Sequence, residues 1–244
     1  MPVDSRPRDA SPVFVTTRWS LVLEAGRDAA SSEAALGQLC AAYWYPIYHF
    51  VRRQGRSTHD AQDLTQEFFA RLLTRNWIAQ ADQSRGRFRS FLLVVLKRFL
   101  AGEWERAQAQ KRGADRLHLP LDDAESRFLS TPASHGTPEE TFDKHWALTL
   151  LDRALRELRA EYEGDGRGAV FETLKGCLTT VPEARPHADL AAALGLSEGA
   201  VKVAIHRLRG RYREKLRAEI AQTVASPSEV DGEMRHLVRV LARG

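Results

Sequence analysis

Apolar residues in this 244-residue chain recur at steps of three and four almost from end to end, and no segment sustains the alternation of a half-buried strand. A stripe repeating every 3.6 residues can be buried only along one side of a helix, so the spacing restricts the chain to helices packed on helices. We expect an all-α protein. Leu36, Leu39, Cys40, Tyr43, Ile47 and Phe50 mark a first helix, capped at Ser31 or Ser32 and ended by Gly55. Pro46 should kink or split it. Ser57 or Thr58 caps a second helix, with Leu64, Phe68 and Leu72 as its stripe. Phe88, Phe91, Leu92, Val95 and Phe99 line a third, running toward Gly113.

From about Gly113 to Gly136 the periodicity disappears among Pro120, Pro132, His135, Ser and Asp, which reads as a flexible linker. Thr137-Pro-Glu-Glu140 then restarts a helix as a capping box with proline at the first position. That helix runs to about Glu163 and buries Trp146, Leu150, Ala154, Leu155 and Leu158. A shorter helix spans Ala169 to about Leu178. Next comes Ala188–Leu194, ended by Gly195, with Leu196 to plug the turn and Ser197 to cap the following helix. Helix, glycine, apolar residue, capping serine, helix is the local chemistry of a helix-turn-helix. A second cap at Ser226-Pro-Ser-Glu229 leads to a last short helix near Leu241, whose Met234, Leu237, Val238 and Leu241 should pack on the second domain. The expected organisation is two helical domains joined by a flexible linker. It comprises an N-terminal extension (1–29), a helical domain (30–113), the linker (114–136), a domain containing the helix-turn-helix (137–222) and a helical tail (223–244).

Charge is concentrated in two helices. Residues 197–217 hold seven Lys/Arg and two Glu, net +5, and residues 85–112 hold eight Lys/Arg and two Glu, net +6. The whole chain is only +4, so the remainder sums to −7. An acidic body with two positive stripes fits selective contact with phosphates better than general adhesion. In the helix after Ser197, the residues Val201, Ile205, Leu208 and Tyr212 face the core. Ser197, Glu198, Lys202 and His206 are then placed to reach base edges in a major groove, and Arg207, Arg209, Arg211 and Arg213 to meet phosphates. In the other basic helix, cations stand beside Phe88, Phe91, Phe99 and Trp104. The phenylalanines belong to the packing stripe. Trp104 lies beyond it among charged residues and can stack on a base. Ahead of that helix, Asp60, Asp63 and Glu67 share one face, which is either a solvated face or a docking surface for a basic partner.

Other classes find little support. The longest apolar run, Phe91–Leu96, is too short to cross a bilayer, and the N-terminus shows no apolar secretory core. Two cysteines, Cys40 and Cys177, exclude a disulfide framework. The cytoplasm is the expected compartment. No phosphate loop, His-Glu-x-x-His motif, cysteine pair or nucleophile elbow is present, and the histidines are scattered. We expect no catalytic residue, metal or cofactor. The alternatives are a helix-turn-helix regulator that acts by binding DNA alone and a helical adaptor acting through proteins.

Three segments together carry a family likeness. Asp60-Ala-Gln-Asp-Leu-Thr-Gln-Glu-Phe-Phe, Arg87-Phe-Arg-Ser-Phe-Leu and Leu196-Ser-Glu-Gly-Ala-Val-Lys-Val-Ala-Ile-His-Arg-Leu-Arg resemble, in order and spacing, region 2 and region 4 of the extracytoplasmic-function sigma factors of the sigma-70 family. The likeness covers roughly residues 30–112 and 140–220. It implies a factor that binds core RNA polymerase and promoter DNA and helps separate the strands. Asp60, Asp63, Gln66 and Glu67 would then dock on polymerase. The loop from Asn76 and the basic helix, through Arg85, Arg87, Arg89, Lys97, Arg98, Trp104 and Arg106, would bind the downstream promoter element, with a flipped base held near the loop. Ser197, Glu198, Lys202, His206, Arg207, Arg209 and Arg213 would bind the upstream element. An anti-sigma factor or other regulatory protein is a further implied partner, and no membrane is involved. The chain departs from the family pattern where Lys97-Arg98 stands in place of a usual Arg-Asn pair.

Overall fold

A computed structural model describes residues 29–74, 88–109, 122–130, 136–178, 186–224 and 226–242. Every regular element among them is a helix. In chain order these are α1 (Ala29–Arg53), α2 (Thr58–Thr74), α3 (Phe88–Ala109), α4 (Asp122–Ser130), α5 (Pro138–Gly164), α6 (Gly168–Leu174), α7 (His187–Leu194), α8 (Glu198–Ala221) and α9 (Val230–Ala242). Short 3-10 turns follow α6 and precede α9.

The spine is α5, which packs on α1, α6, α8 and α9. Its start matches the sequence. Glu140 N–H donates to the Thr137 hydroxyl at 3.2 Å, and Thr137 N–H donates back to the Glu140 carboxylate at 2.9 Å. Trp146, Leu150, Ala154 and Leu158 are buried as the spacing predicts, and Leu155 is half-buried.

The first helix differs from expectation in two ways. It begins at Ala29, ahead of Ser31 and Ser32, and it runs through Pro46 as one continuous element. A proline inside a helix costs roughly 3 kcal/mol locally. Here Tyr43, Ile47, Tyr48, Phe50 and Val51 are all essentially inaccessible, and burying each such side chain returns about 1.5–3 kcal/mol. Packing therefore outweighs the local cost. Gly55, with φ +80°, follows the end of α1, and the Ser57 hydroxyl caps α2 by accepting from Asp60 N–H at 3.1 Å.

The stretch expected to be a linker holds α4. Its Glu125 accepts from Arg52 Nε at 3.1 Å and Nη2 at 2.7 Å, and from the Tyr48 hydroxyl. Phe128 lies beneath the Arg52 guanidinium at 4.5 Å. Nine residues give too few turns for a periodic signal, and what holds α4 is a pair of contacts to residues more than seventy positions away.

Buried residues fall into two clusters. One joins α1, α2, α3 and α4 with the first half of α5, the end of α8 and α9. The other joins the second half of α5 with α6, α7 and the first half of α8. Two long helices thus belong to both. The tail helix packs on α5 and α8, burying Leu237 and partly burying Met234 and Leu241, while Val238 stays exposed.

Candidate nucleic-acid interface

The helix-turn-helix is built by local rules. Gly195 ends α7 at φ +63°, and Leu196 N–H donates to the Ala191 carbonyl at 3.0 Å. A β-carbon in that left-handed conformation would be strained, which suits glycine. Ser197 then caps α8, its hydroxyl accepting from Ala200 N–H at 3.2 Å. Leu196 does not plug the turn. It is 44% exposed, because the backbone closure leaves its side chain pointing outward.

Val201, Ile205 and Leu208 seat α8 on the second cluster, with Tyr212 half-buried beside them. The opposite face carries Glu198, Lys202, His206, Arg207 and Arg213, all exposed, together with the capping Ser197. Lys202, His206, Arg207 and Arg213 make no ion pair among the described residues. Val203, on that face, is 50% exposed. Arg209 is exposed but donates from Nε to the Cys177 carbonyl at 2.9 Å, tying α8 to the turn after α6. Arg211 is half-buried. It pairs with Glu161 at 2.9 Å and lies over the Tyr162 ring at 5.6 Å, so it serves the fold rather than a phosphate. Lys215 also pairs with Glu161, at 2.8 Å, and this lysine holds the Glu161 carboxyl below its usual range. The cations available to a ligand thus gather in the first four turns of α8.

The first basic helix is more altered. Phe88, Leu92, Leu96 and Phe99 are buried, with Phe91 and Val95 half-buried, which makes the aromatic stripe a packing stripe. Arg89 corrects the expectation that it meets DNA in this conformation. It is 7% exposed. Its Nη1 donates to Asp143 at 2.6 Å, its Nε to Glu233 at 3.3 Å, and its guanidinium lies over the Trp146 ring at 5.2 Å. Lys97 is half-exposed and pairs with Glu139 at the start of α5. Arg98 is exposed. Trp104 is 55% exposed, with the Arg56 guanidinium 5.1 Å from its ring centre. These two side chains line a cleft of about 380 Å³ with Gln54, Lys97 and Glu139. Arg85, Arg87 and the Arg106 side chain lie outside the described residues, as does the loop from Asn76.

On α2, Asp60 is exposed, and Asp63, Gln66 and Glu67 are half-buried. Asp60 accepts from the Ser57 hydroxyl at 2.7 Å, and Asp63 lies 3.7 Å from His59. Glu67 accepts from Arg71 at 2.7 Å, and the same arginine reaches Glu103 on α3 at 2.6 Å. The acidic face is therefore partly a tie between α2 and α3. Sequence reasoning missed Asp143, Glu233 and Arg56 as neighbours of the basic helix. No local signal marks contacts that span 54 and 144 positions.

A family model for sigma-70 region 2 matches residues 41–110, which is α1 from its buried half through α3. The chain is also 26% identical over 203 residues to the ECF RNA polymerase sigma factor SigE of Mycolicibacterium smegmatis, covering 82% of this chain and 69% of that one. The two likenesses support an extracytoplasmic-function sigma factor of the sigma-70 family. No solved structure matches it. An alignment of 203 residues cannot be contained in the first half, so the likeness of this sigma factor to its relative extends into the second, where the helix-turn-helix stands. Among its described residues no helix is long and apolar enough to cross a membrane.

Proposed function

We propose that this sigma factor divides its contacts among three helices. The polar face of α2, through Asp60, Asp63, Gln66 and Glu67, docks on core RNA polymerase. The loop before α3 and the outer face of α3, through Lys97, Arg98, Trp104 and Arg106, bind and open the downstream promoter element, with Arg85 and Arg87 supporting the loop. The first turns of α8 read the upstream element in a major groove. There Ser197, Glu198, Lys202 and His206 face base edges, and Arg207, Arg209 and Arg213 meet phosphates. The observation that carries this reading is the capped, exposed, cationic start of α8 in a chain that also matches region 2.

The mechanism needs no covalent step and no catalytic group of this chain. Unstacking a base step costs a few kcal/mol, recovered when bases stack on aromatic faces or enter pockets. Phosphate contacts on α8 hold the duplex in register while this happens. Residues 30–113 and 137–222 act as two DNA-binding units, with 114–136 between them. The chain works in the cytoplasm, and an anti-sigma or other regulatory protein that covers α2 or α8 is a further partner.

The test is transcription in vitro with core polymerase on a library of promoter fragments. Specific initiation should depend on this chain and should fall at least tenfold on charge reversal at Lys202 and Arg207, about 1.4 kcal/mol of promoter binding. Alanine or lysine at Asp63 and Glu67 should abolish binding to core. Unchanged initiation in the first case, or unchanged core binding in the second, overturns the corresponding assignment.

A further inference from the structure

The cation that heads the basic helix is held inside the molecule by two acids from far along the chain. Asp143 on α5 and Glu233 on α9 both accept from Arg89, and Trp146 closes over its guanidinium. The arrangement is anchored on every side. His236 Nε2 lies 3.1 Å from the second oxygen of Asp143, Arg217 on α8 donates to Asp231 on α9 at 2.5 Å, and Leu237 is buried beneath them. Two turns further along α3, Lys97 is paired with Glu139, one turn before Asp143 on the same side of α5. Carboxylates therefore occupy the positions that phosphate oxygens would take against α3. With Nε and Nη1 bonded to carboxylates and the side chain buried, Arg89 cannot reach a nucleic-acid backbone in this arrangement.

We infer that α9, with the acidic side of α5, is an internal clasp that competes with nucleic acid for Arg89 and Lys97. The structure is the clasped form. Release exposes two cations on α3, and the tail beyond region 4 sets how readily that happens. The inference rests on the proposed role of α3 in DNA binding and adds the element that regulates it.

The experiment uses the full chain and a 30-base-pair DNA duplex opened by a central mismatched bubble, with affinity measured by fluorescence anisotropy across a salt series. Asp143→Asn with Glu233→Gln should tighten binding roughly tenfold. It should also steepen the log–log salt dependence by about 0.9 for each cation freed. Hydrogen exchange over residues 230–242 should rise in the same variant. Adding Arg89→Gln to it should cancel the gain. Because the double variant alters buried groups, Glu139→Gln provides a second arm at a half-exposed pair, and it should tighten binding about threefold. Unchanged affinity and slope in both arms overturn the clasp. Arg98→Gln separates the two ideas, since Arg98 is exposed on α3 and outside the clasp. If it weakens binding while the acid variants give no gain, the clasp alone is wrong. If it changes neither affinity nor slope, the role of α3 in DNA binding falls, and the clasp with it.

Discussion

At the scale of single residues, burial decides which ionisable groups serve the fold. His49 on α1 and His145 on α5 face each other with ring centres 3.6 Å apart, and Tyr45 and Phe128 surround them. Burial, reinforced by His145 and the nearby Arg53 and Arg52, pushes His49 down to about 3. Between that value and the ordinary 6.5, the unfolded chain binds a proton that the folded chain refuses. Stability should therefore fall as pH drops through this window, by up to about 1.4 kcal/mol per unit. Glu125 adds to it lower down. The Arg52 hydrogen bonds hold its carboxyl at about 2, so its contribution is present above the ordinary carboxylate range and fades as pH falls from 4.5 toward 2. Urea midpoints measured from pH 7 to pH 4 should decline for the wild type and decline less for His49→Leu. Parallel declines would show that other groups drive acid unfolding. Nothing in the local spacing marks this pair. His49 and His145 were legible only as scattered histidines, because a contact across 96 positions leaves no trace in local spacing. The burial of Arg89 was illegible for the same reason. Its neighbours in sequence are cationic and aromatic, whereas its neighbours in space are acids.

At the scale of the element, what was legible followed from rules acting within a turn or two. The capping box at Thr137 and Glu140, the left-handed glycine at 195 and the capping serine at 197 all stand where the sequence placed them. Each satisfies backbone groups that a helix end leaves open. What escaped were the elements set by tertiary contact: the unbroken passage of α1 through Pro46, and α4 held by Glu125 and Phe128. The ends of α7 and α8 make a direct test, because they set the angle at which α8 leaves the turn. Ser197→Ala should cost about 1 kcal/mol, and Gly195→Ala a similar amount through strain at φ +63°. Both should weaken upstream-element binding through α8, whereas Ser226→Ala, a cap on the tail, should lower stability without that loss. Thermal melts and anisotropy with an upstream-element duplex distinguish these outcomes. Equal loss of DNA binding in all three variants would mean that global stability, not the geometry of the turn, is being read.

At the scale of the whole molecule, α5 decides how the two clusters communicate. Phe142, Trp146, Leu150 and Ala154 belong to one cluster, and Leu158 and Tyr162, on the same helix, to the other. A helix cannot melt in its second half without exposing the end of its first, so the clusters should unfold together. The chain supplies separate probes for this. Trp146 and Trp44 pack in the first cluster and no tryptophan follows residue 146, so a blue-shifted tryptophan signal reports the first cluster, while far-ultraviolet circular dichroism reports every helix. The two signals should trace one transition in urea. Leu158→Ala, inside the second cluster and fully buried, should destabilise by about 2–5 kcal/mol and shift both curves equally. If the tryptophan signal stays put while the dichroism moves, α5 is a hinge rather than a spine. The clasp formed by α9 would then hold together two bodies that fold independently.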